Sequence, residues 1–158
     1  MRQILFYFLL LFALTTLSCS GSRSTAGTSS GSSKRPPVTQ KIKFIEKGKL
    51  QPILARAKAE NKLVFLDFYT TWCLPCRVMD EEVFSKPMTA RSINRNFISY
   101  KVNAEKDNGP NLATIFEVYA YPTLLFLDAE GNILERKDGS MSNSAFLNMA
   151  ESALAKSL

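Results

Sequence analysis

The sequence predicts one α/β domain, a central mixed β-sheet flanked by α-helices, and three observations carry that class. Leu63–Tyr69 is an apolar run of strand length, interrupted only by Asp67, the pattern of a strand buried on both faces and so the candidate central strand. Strands at Phe97–Val102 and Thr123–Leu127 bracket a helical segment around Leu112, Ile115, Phe116 and Tyr119, an order that implies a βαβ crossover. Phe146, Met149, Ala150, Ala153 and Leu154 then recur at the spacing of an amphipathic helix.

The elements follow in order from the N-terminus. After Arg2, an apolar stretch from Ile4 to about Leu17 reaches roughly fourteen residues, the length of a signal-peptide core and short of a membrane-spanning helix. Residues 1–18 are therefore expected to be a signal peptide. Residues 19–40 are rich in Ser, Gly and Thr and close on Lys34-Arg35-Pro36-Pro37; they hold too little apolar surface to offset ordering entropy and read as a tether. Residues 41–158 are the folded domain. Within it, Ile42–Ile45 forms a short strand, and Leu50, Ile53, Leu54 and Ala57 fall on one helical face, with Pro52 tolerated in the first turn. Asp128-Ala129-Glu130-Gly131-Asn132 is a turn leading into a strand at Ile133–Arg136.

Composition narrows the chemistry. The chain has 158 residues and 46% hydrophobic content, enough for one ordinary domain core. Its net charge of +6 is scattered among acids such as Glu46, Glu60, Asp80, Glu81 and Glu82, which argues for a solvated surface and against a nucleic-acid footprint. There is no histidine, which removes His-assisted nucleophiles, His general bases and His-containing metal sites. No nicotinamide or flavin fingerprint is present, and no cofactor is expected.

The three cysteines are Cys19, Cys73 and Cys76. Trp72-Cys73-Leu74-Pro75-Cys76 follows the apolar strand through Tyr69-Thr70-Thr71 and opens a helix through Arg77, Val78 and Met79. At a helix N-terminus, unpaired N–H groups and the helix dipole favour the thiolate of the first cysteine, so Cys73 is the expected attacking group and Cys76 the resolving one. Two other readings stand beside this one. A zinc half-site would need two further ligands in a chain whose only other cysteine lies at the export signal. A static disulfide is compatible with an exported protein, although so short a loop gains little chain entropy.

Asp67-Phe68-Tyr69-Thr70-Thr71-Trp72-Cys73-Leu74-Pro75-Cys76 resembles the active-site segment of thioredoxins, and Tyr121-Pro122-Thr123 resembles their cis-proline loop. The likeness extends over roughly Ile42–Leu158 and implies a thioredoxin fold. The stretch from Glu82-Val83-Phe84-Ser85-Lys86-Pro87 onward is similar to the reductant-delivering C-terminal domain of bacterial transmembrane thiol reductases. The resemblance implies roles by position: Asp67 as the buried acid handling the proton of Cys76, Lys101 as its partner, and Tyr121 and Pro122 receiving substrate backbone beside the disulfide. Residue by residue, plainer readings remain: Asp67 as a strand-end acid reaching solvent, Lys101 as a solvated residue on a polar strand face, Pro122 as an ordinary proline before a strand, Trp72 as core filling instead of a wall flanking the substrate groove.

Leu17-Ser18-Cys19-Ser20 resembles the lipobox of bacterial lipoproteins, with Thr16 where the leucine usually stands; lipidation of Cys19 is expected, the alternative being secretion with a free thiol. Strongly oxidising members of the fold carry a histidine between the cysteines. Here the intervening, redox-tuning pair is Leu74-Pro75, which implies a reducing poise. The expected function is therefore that of a monomeric, periplasm-facing protein-disulfide reductase on a lipid anchor, acting on exported disulfide proteins and re-reduced by a membrane thiol donor. The alternatives are an oxidase or isomerase, or a binding module with a structural CxxC.

Overall fold

The computed structural model describes residues 40–158. The expected signal peptide, Cys19 and nearly all of the tether lie outside the described residues. Along the chain run β1 (Phe44–Ile45), α1 (Leu50–Ala59), β2 (Leu63–Tyr69), α2 (Leu74–Met79), α3 (Pro87–Asn96), β3 (Phe97–Asn103), α4 (Gly109–Ile115), β4 (Thr123–Leu127), β5 (Ile133–Asp138) and α5 (Asn143–Lys156). A π-helical turn, Asp80–Phe84, continues α2 without a break.

The five strands form one mixed sheet in the order β1-β3-β2-β4-β5, with β2 in the centre as the apolar run predicts. β1 and β2 lie parallel to β3, whereas β4 is antiparallel to β2 and β5 to β4. The crossover expected between Phe97–Val102 and Thr123–Leu127 is therefore corrected: β3 and β4 are not neighbours and run in opposite senses. The parallel crossover joins β2 to β3 through α2 and α3. Strand-helix-strand order does not by itself settle which strands pair: the connection 104–122 is long enough for a parallel crossover, yet β4 comes back antiparallel beside β2.

Two further differences concern helices. The sequence reading assigns no helix to α3, although its three buried residues, Thr89, Ala90 and Ile93, recur at helical spacing. α4 ends at Ile115, leaving Phe116 and Tyr119 outside the helix in which the spacing had placed them. Glu117, at φ 51°, supplies the left-handed residue that closes it. The amides of Glu117 and Val118 donate back to the carbonyls of Thr114 (3.2 Å) and Ala113 (2.8 Å), a helix stop that usually uses glycine.

The two-residue period of β2 divides the core. Val64, Leu66 and Phe68 pack with Ile53, Leu54, Leu112 and Phe116 under α1 and α4. Leu63 and Phe65 face the other way, toward Met79, Val83, Phe84, Ile93 and Phe146. Phe65 is the hub of that side: its ring stacks on Phe126 at 5.0 Å and meets Phe146 edge-on at 5.2 Å and Phe84 at 5.7 Å. Its removal would open a cavity between the sheet and the segment that follows Cys76. Phe65→Ala is expected to destabilise the fold by about 3–5 kcal/mol, read as a lower denaturation midpoint at unchanged slope; a loss under about 1 kcal/mol would mean that the surrounding rings collapse into the space.

Candidate redox site

Cys73 and Cys76 are joined by a disulfide, with Cα atoms 5.4 Å apart, where β2 feeds α2. Cys73 is the N-cap of α2 in an extended backbone conformation, and the Cys76 amide donates to its sulfur at 3.1 Å. The same contact would favour a Cys73 thiolate once the bridge is opened. Pro75 sits within the first turn, where its missing N–H costs nothing. Cys73 is 2% and Cys76 3% exposed, while the flanking Trp72 and Leu74 stand 66% and 61% exposed. The bridge is thus sunk between two projecting apolar side chains.

Beneath it lies the acid. Asp67 is 1% exposed, so the strand-end reading is excluded. By the strand period it shares the Phe65 face, toward α2 and the π-helical turn. Its Oδ2 is 3.4 Å from the ammonium of Lys101, its register partner on β3, and its Oδ1 has no hydrogen-bond partner among the described residues. Lys101 is not solvated either: its side chain is 10% exposed, it pairs with Asp80 as well, and its ammonium lies 5.0 Å from the centre of the Tyr69 ring. Asp80, one turn beyond Cys76 and 42% exposed at its side chain, connects this buried pair to solvent. A cavity of about 620 Å³, lined in part by Tyr69, Asp80, Phe84 and Lys101, opens there.

Burial pushes the Asp67 carboxyl from an ordinary 3.8 up to about 6; attraction to Lys101 opposes the rise and the charge of Asp80 adds to it. Burial pulls Lys101 down, but the charge of Asp67 and the hydrogen bond and charge of Asp80 outweigh it and hold the ammonium above its ordinary value. Around neutral pH the arrangement is a buried carboxylate with one cation, near enough to its pKa to exchange a proton. Sequence reasoning found Asp67 and Lys101 but counted Asp80 among surface acids; its position one turn after Cys76 was the available signal.

The second wall comes from far along the chain. The Tyr121–Pro122 bond is cis, as the resemblance implied. The Tyr121 ring meets the Trp72 indole edge-on at 6.0 Å, so Trp72 stands at the rim, not in the core. Glu105, which the sequence did not single out, accepts a hydrogen bond from the Trp72 indole N–H at 2.9 Å. Its loop is held close by Gly109, where an added Cβ would lie 1.7 Å from the Asn103 carbonyl oxygen. Cys73, Cys76, Trp72, Leu74, Pro75, Tyr121 and Pro122 thus meet at one end of the sheet, above Asp67 and Lys101. A cavity of about 760 Å³ lies at the Leu63 end of β2, away from this chemistry. No group of side chains fit to hold a metal occurs among the described residues.

A mixed sheet whose central strand delivers a CxxC to a helix start, opposite a cis-proline loop, defines a thioredoxin-type domain. Residues 50–154 match the thioredoxin-like domain family, and the chain belongs to it. It is 32% identical over 136 residues to the thiol:disulfide interchange protein DsbD of Haemophilus influenzae (strain PittGG), covering 82% of this chain and 23% of that protein. The chain therefore spans less than a quarter of the length of the curated relatives it matches. A candidate disulphide-isomerase from Bacteroides thetaiotaomicron, known from a solution structure, is 34% identical at a TM-score of 0.65, with 73% of this chain and 95% of that one covered. The oxidised C-terminal domain of Neisseria meningitidis DsbD shares the fold at 21% identity and a TM-score of 0.55, over 65% of this chain and 90% of that one.

The raised Asp67 pKa has a definite sign in stability. Between about pH 4 and pH 6 the folded state keeps a proton that the unfolded chain has released, so this group's contribution falls as pH rises through that window and stays low above it. Asp67→Asn is expected to remove that slope and to gain up to about 3 kcal/mol at pH 7, from a shift of roughly two units at 1.36 kcal/mol each. Urea melts of both proteins from pH 4 to pH 7.5 check it, and parallel curves would show that Asp67 titrates normally.

Proposed function

We propose that this chain is an exported thiol:disulfide oxidoreductase that reduces protein disulfides through Cys73 and Cys76. The observation that carries the proposal is a helix-capping Cys73, bonded to Cys76, just past the end of the strand that carries a buried carboxyl whose pKa is raised to about 6. In the reduced protein the Cys73 thiolate attacks one sulfur of a substrate disulfide. A Cys73–substrate bond forms and the other substrate sulfur leaves as a thiolate. Asp67 takes the proton of Cys76, whose thiolate then attacks the Cys73 sulfur; the Cys73–Cys76 bond forms and the second substrate thiol departs. Two electrons pass from the dithiol to the substrate, and protons on both thiolates complete the exchange. Lys101 and Asp80 give the Asp67 proton a way to solvent.

Supporting the reducing direction are the Leu74-Pro75 pair and the absence of histidine, while the similarity to thiol:disulfide interchange proteins supports the exchange itself. A second turnover requires that the Cys73–Cys76 bridge be reduced again, and we assign that part to a thiol donor, a membrane protein facing the periplasm. The apolar N-terminal stretch and Cys19 support an exported, lipid-anchored chain; no helix among the described residues is long and apolar enough to cross a membrane. Two specific observations favour other readings. The Bacteroides relative points toward isomerisation, and the 2% exposure of Cys73 toward a static bridge.

One titration separates the three. Equilibrating the chain in graded glutathione or dithiothreitol buffers and following Trp72 fluorescence is expected to give a potential near that of thioredoxin, about −270 mV. A value near about −180 to −120 mV would support isomerase or oxidase work, and one well below about −300 mV a structural bridge. The order of attack predicts that Cys76→Ser accumulates mixed disulfides through Cys73, visible as dithiothreitol-sensitive adducts on a non-reducing gel, whereas Cys73→Ser accumulates none. Adducts formed by Cys73→Ser instead would reverse the two roles.

A further inference from the structure

The wall of the cleft that carries Tyr121 and Pro122 is a stretch without regular structure, residues 116–122, between the end of α4 and the start of β4. Phe116, Val118 and Pro122 are buried and anchor it on the core side, but it has no helix or strand of its own to pair its carbonyls. Tyr119 is 88% exposed, and the helix stop that begins the stretch places Glu117, a residue with a side chain, in the left-handed region at φ 51°. Its opposition to Trp72 therefore needs support from elsewhere in the fold.

That support comes from the edge strand β5. The guanidinium of Arg136 donates through Nη1 to the Phe116 carbonyl at 2.6 Å and through Nη2 to the Glu117 carbonyl at 2.8 Å, the first two carbonyls of the stretch. Asp138, two residues on and on the same face of β5, binds the same guanidinium at 3.0 Å and 3.2 Å. That pairing is the main reason the Asp138 carboxyl stays below its ordinary pKa and remains ionised. Asp138 also lies 2.8 Å from the Thr123 hydroxyl, whose single proton is shared between it and the Ala120 carbonyl, also at 2.8 Å. The next amide, Gly139, donates to the Pro122 carbonyl at 2.7 Å. From Phe116 to Pro122, four of the seven carbonyls are thus held by Arg136, by Thr123 beside Asp138, or by the backbone just after them.

We propose that the Arg136–Asp138 pair is the positioning device for the substrate-receiving wall: it acts through residues 116–122 on how a protein disulfide docks, and touches neither the cysteines nor the substrate. This rests on the oxidoreductase reading above and adds specificity-determining residues to it. A planar, five-donor guanidinium can hold two carbonyls and a carboxylate at once, whereas an ammonium at that place would serve fewer. The clamp governs extended protein substrates, which must lie along the wall. It should matter little to a small disulfide that reaches Cys73 without it.

The test compares the full chain with Arg136→Ala, Arg136→Lys, Asp138→Asn and, as a control, Lys137→Ala, which removes an exposed charge from the opposite face of the same strand. Reduction of insulin is followed with dithiothreitol as the regenerating reductant, and reduction of the small aromatic disulfide dithiobis-nitrobenzoate in a single turnover of pre-reduced protein freed of dithiothreitol, which would itself reduce that disulfide. Arg136→Ala is expected to raise KM for insulin by about tenfold while kcat, the small-disulfide rate and the Cys73–Cys76 potential change by less than twofold. Arg136→Lys and Asp138→Asn should fall between it and the parent, and Lys137→Ala should match the parent. Equal losses on both substrates, or no loss on insulin, would overturn the proposal. Hydrogen exchange of the segment 116–122 gives a readout that does not need turnover: faster exchange there in Arg136→Ala, with β4 still protected, supports the clamp, and unchanged exchange overturns it. A parent chain inactive on both substrates would sink the oxidoreductase reading instead, and the clamp would then be judged on exchange alone.

Discussion

A carboxylic acid carried into the interior by the central strand must find a cation there or keep its proton, and Asp67 does some of each. Lys101 lies beside it because β2 and β3 pair in parallel with those two residues in register. The pairing in turn requires the crossover that contains α2, and α2 begins at the cysteines. One contact thus ties together the strand register, the helix carrying the disulfide and the protonation of the group beneath it. Shifting β2 by one residue would put Asp67 on the α1 and α4 side and Phe68 against Lys101.

The aromatic cluster around Phe65 serves the same end. Phe84, at the close of the π-helical turn, packs on Phe65 and Phe146, and so fixes the path of the chain after Cys76. The turn also leaves Asp80 where it meets Lys101 from the solvent side. The buried pair is therefore not sealed: it has a half-exposed acid at its outer edge, and a proton passing through Asp67 has somewhere to go. The exposed rim, in contrast, is made of side chains from three separate segments, Trp72, Glu105 and Tyr121, joined by one hydrogen bond and one edge-on ring contact.

The N-terminal quarter and the rest of the chain ask different things of the sequence. The apolar stretch, the Ser-rich run and Cys19 are signals read by their composition and order. The domain is read by periodicity, and there the reading failed where periodicity was weak. Pro87–Asn96 is a helix that buries only three small or medium side chains, a stripe at Thr89, Ala90 and Ile93 that is narrow among polar neighbours. Phe116–Tyr119 looked helical because Phe116 is apolar at the right spacing. Its burial, however, comes from packing after the helix has already stopped.

By itself the sequence determined the sheet-and-helix class, the central strand, the CxxC at its helix junction and the oddity of Asp67 within an apolar run, because each is a local pattern: a run, a spacing, a residue type out of place; Lys101 and Pro122 were marked by a resemblance alone. Only the tertiary structure decided that β4 returns antiparallel to β2, that Asp80 joins Lys101, that Glu105 holds Trp72, and that Arg136 and Asp138 on an edge strand hold the far wall of the cleft. Those contacts join residues distant in sequence through charged and polar groups. Such groups carry no periodic signal, since a carboxylate or guanidinium on a strand face looks the same in sequence whether it meets water or another strand's carbonyls.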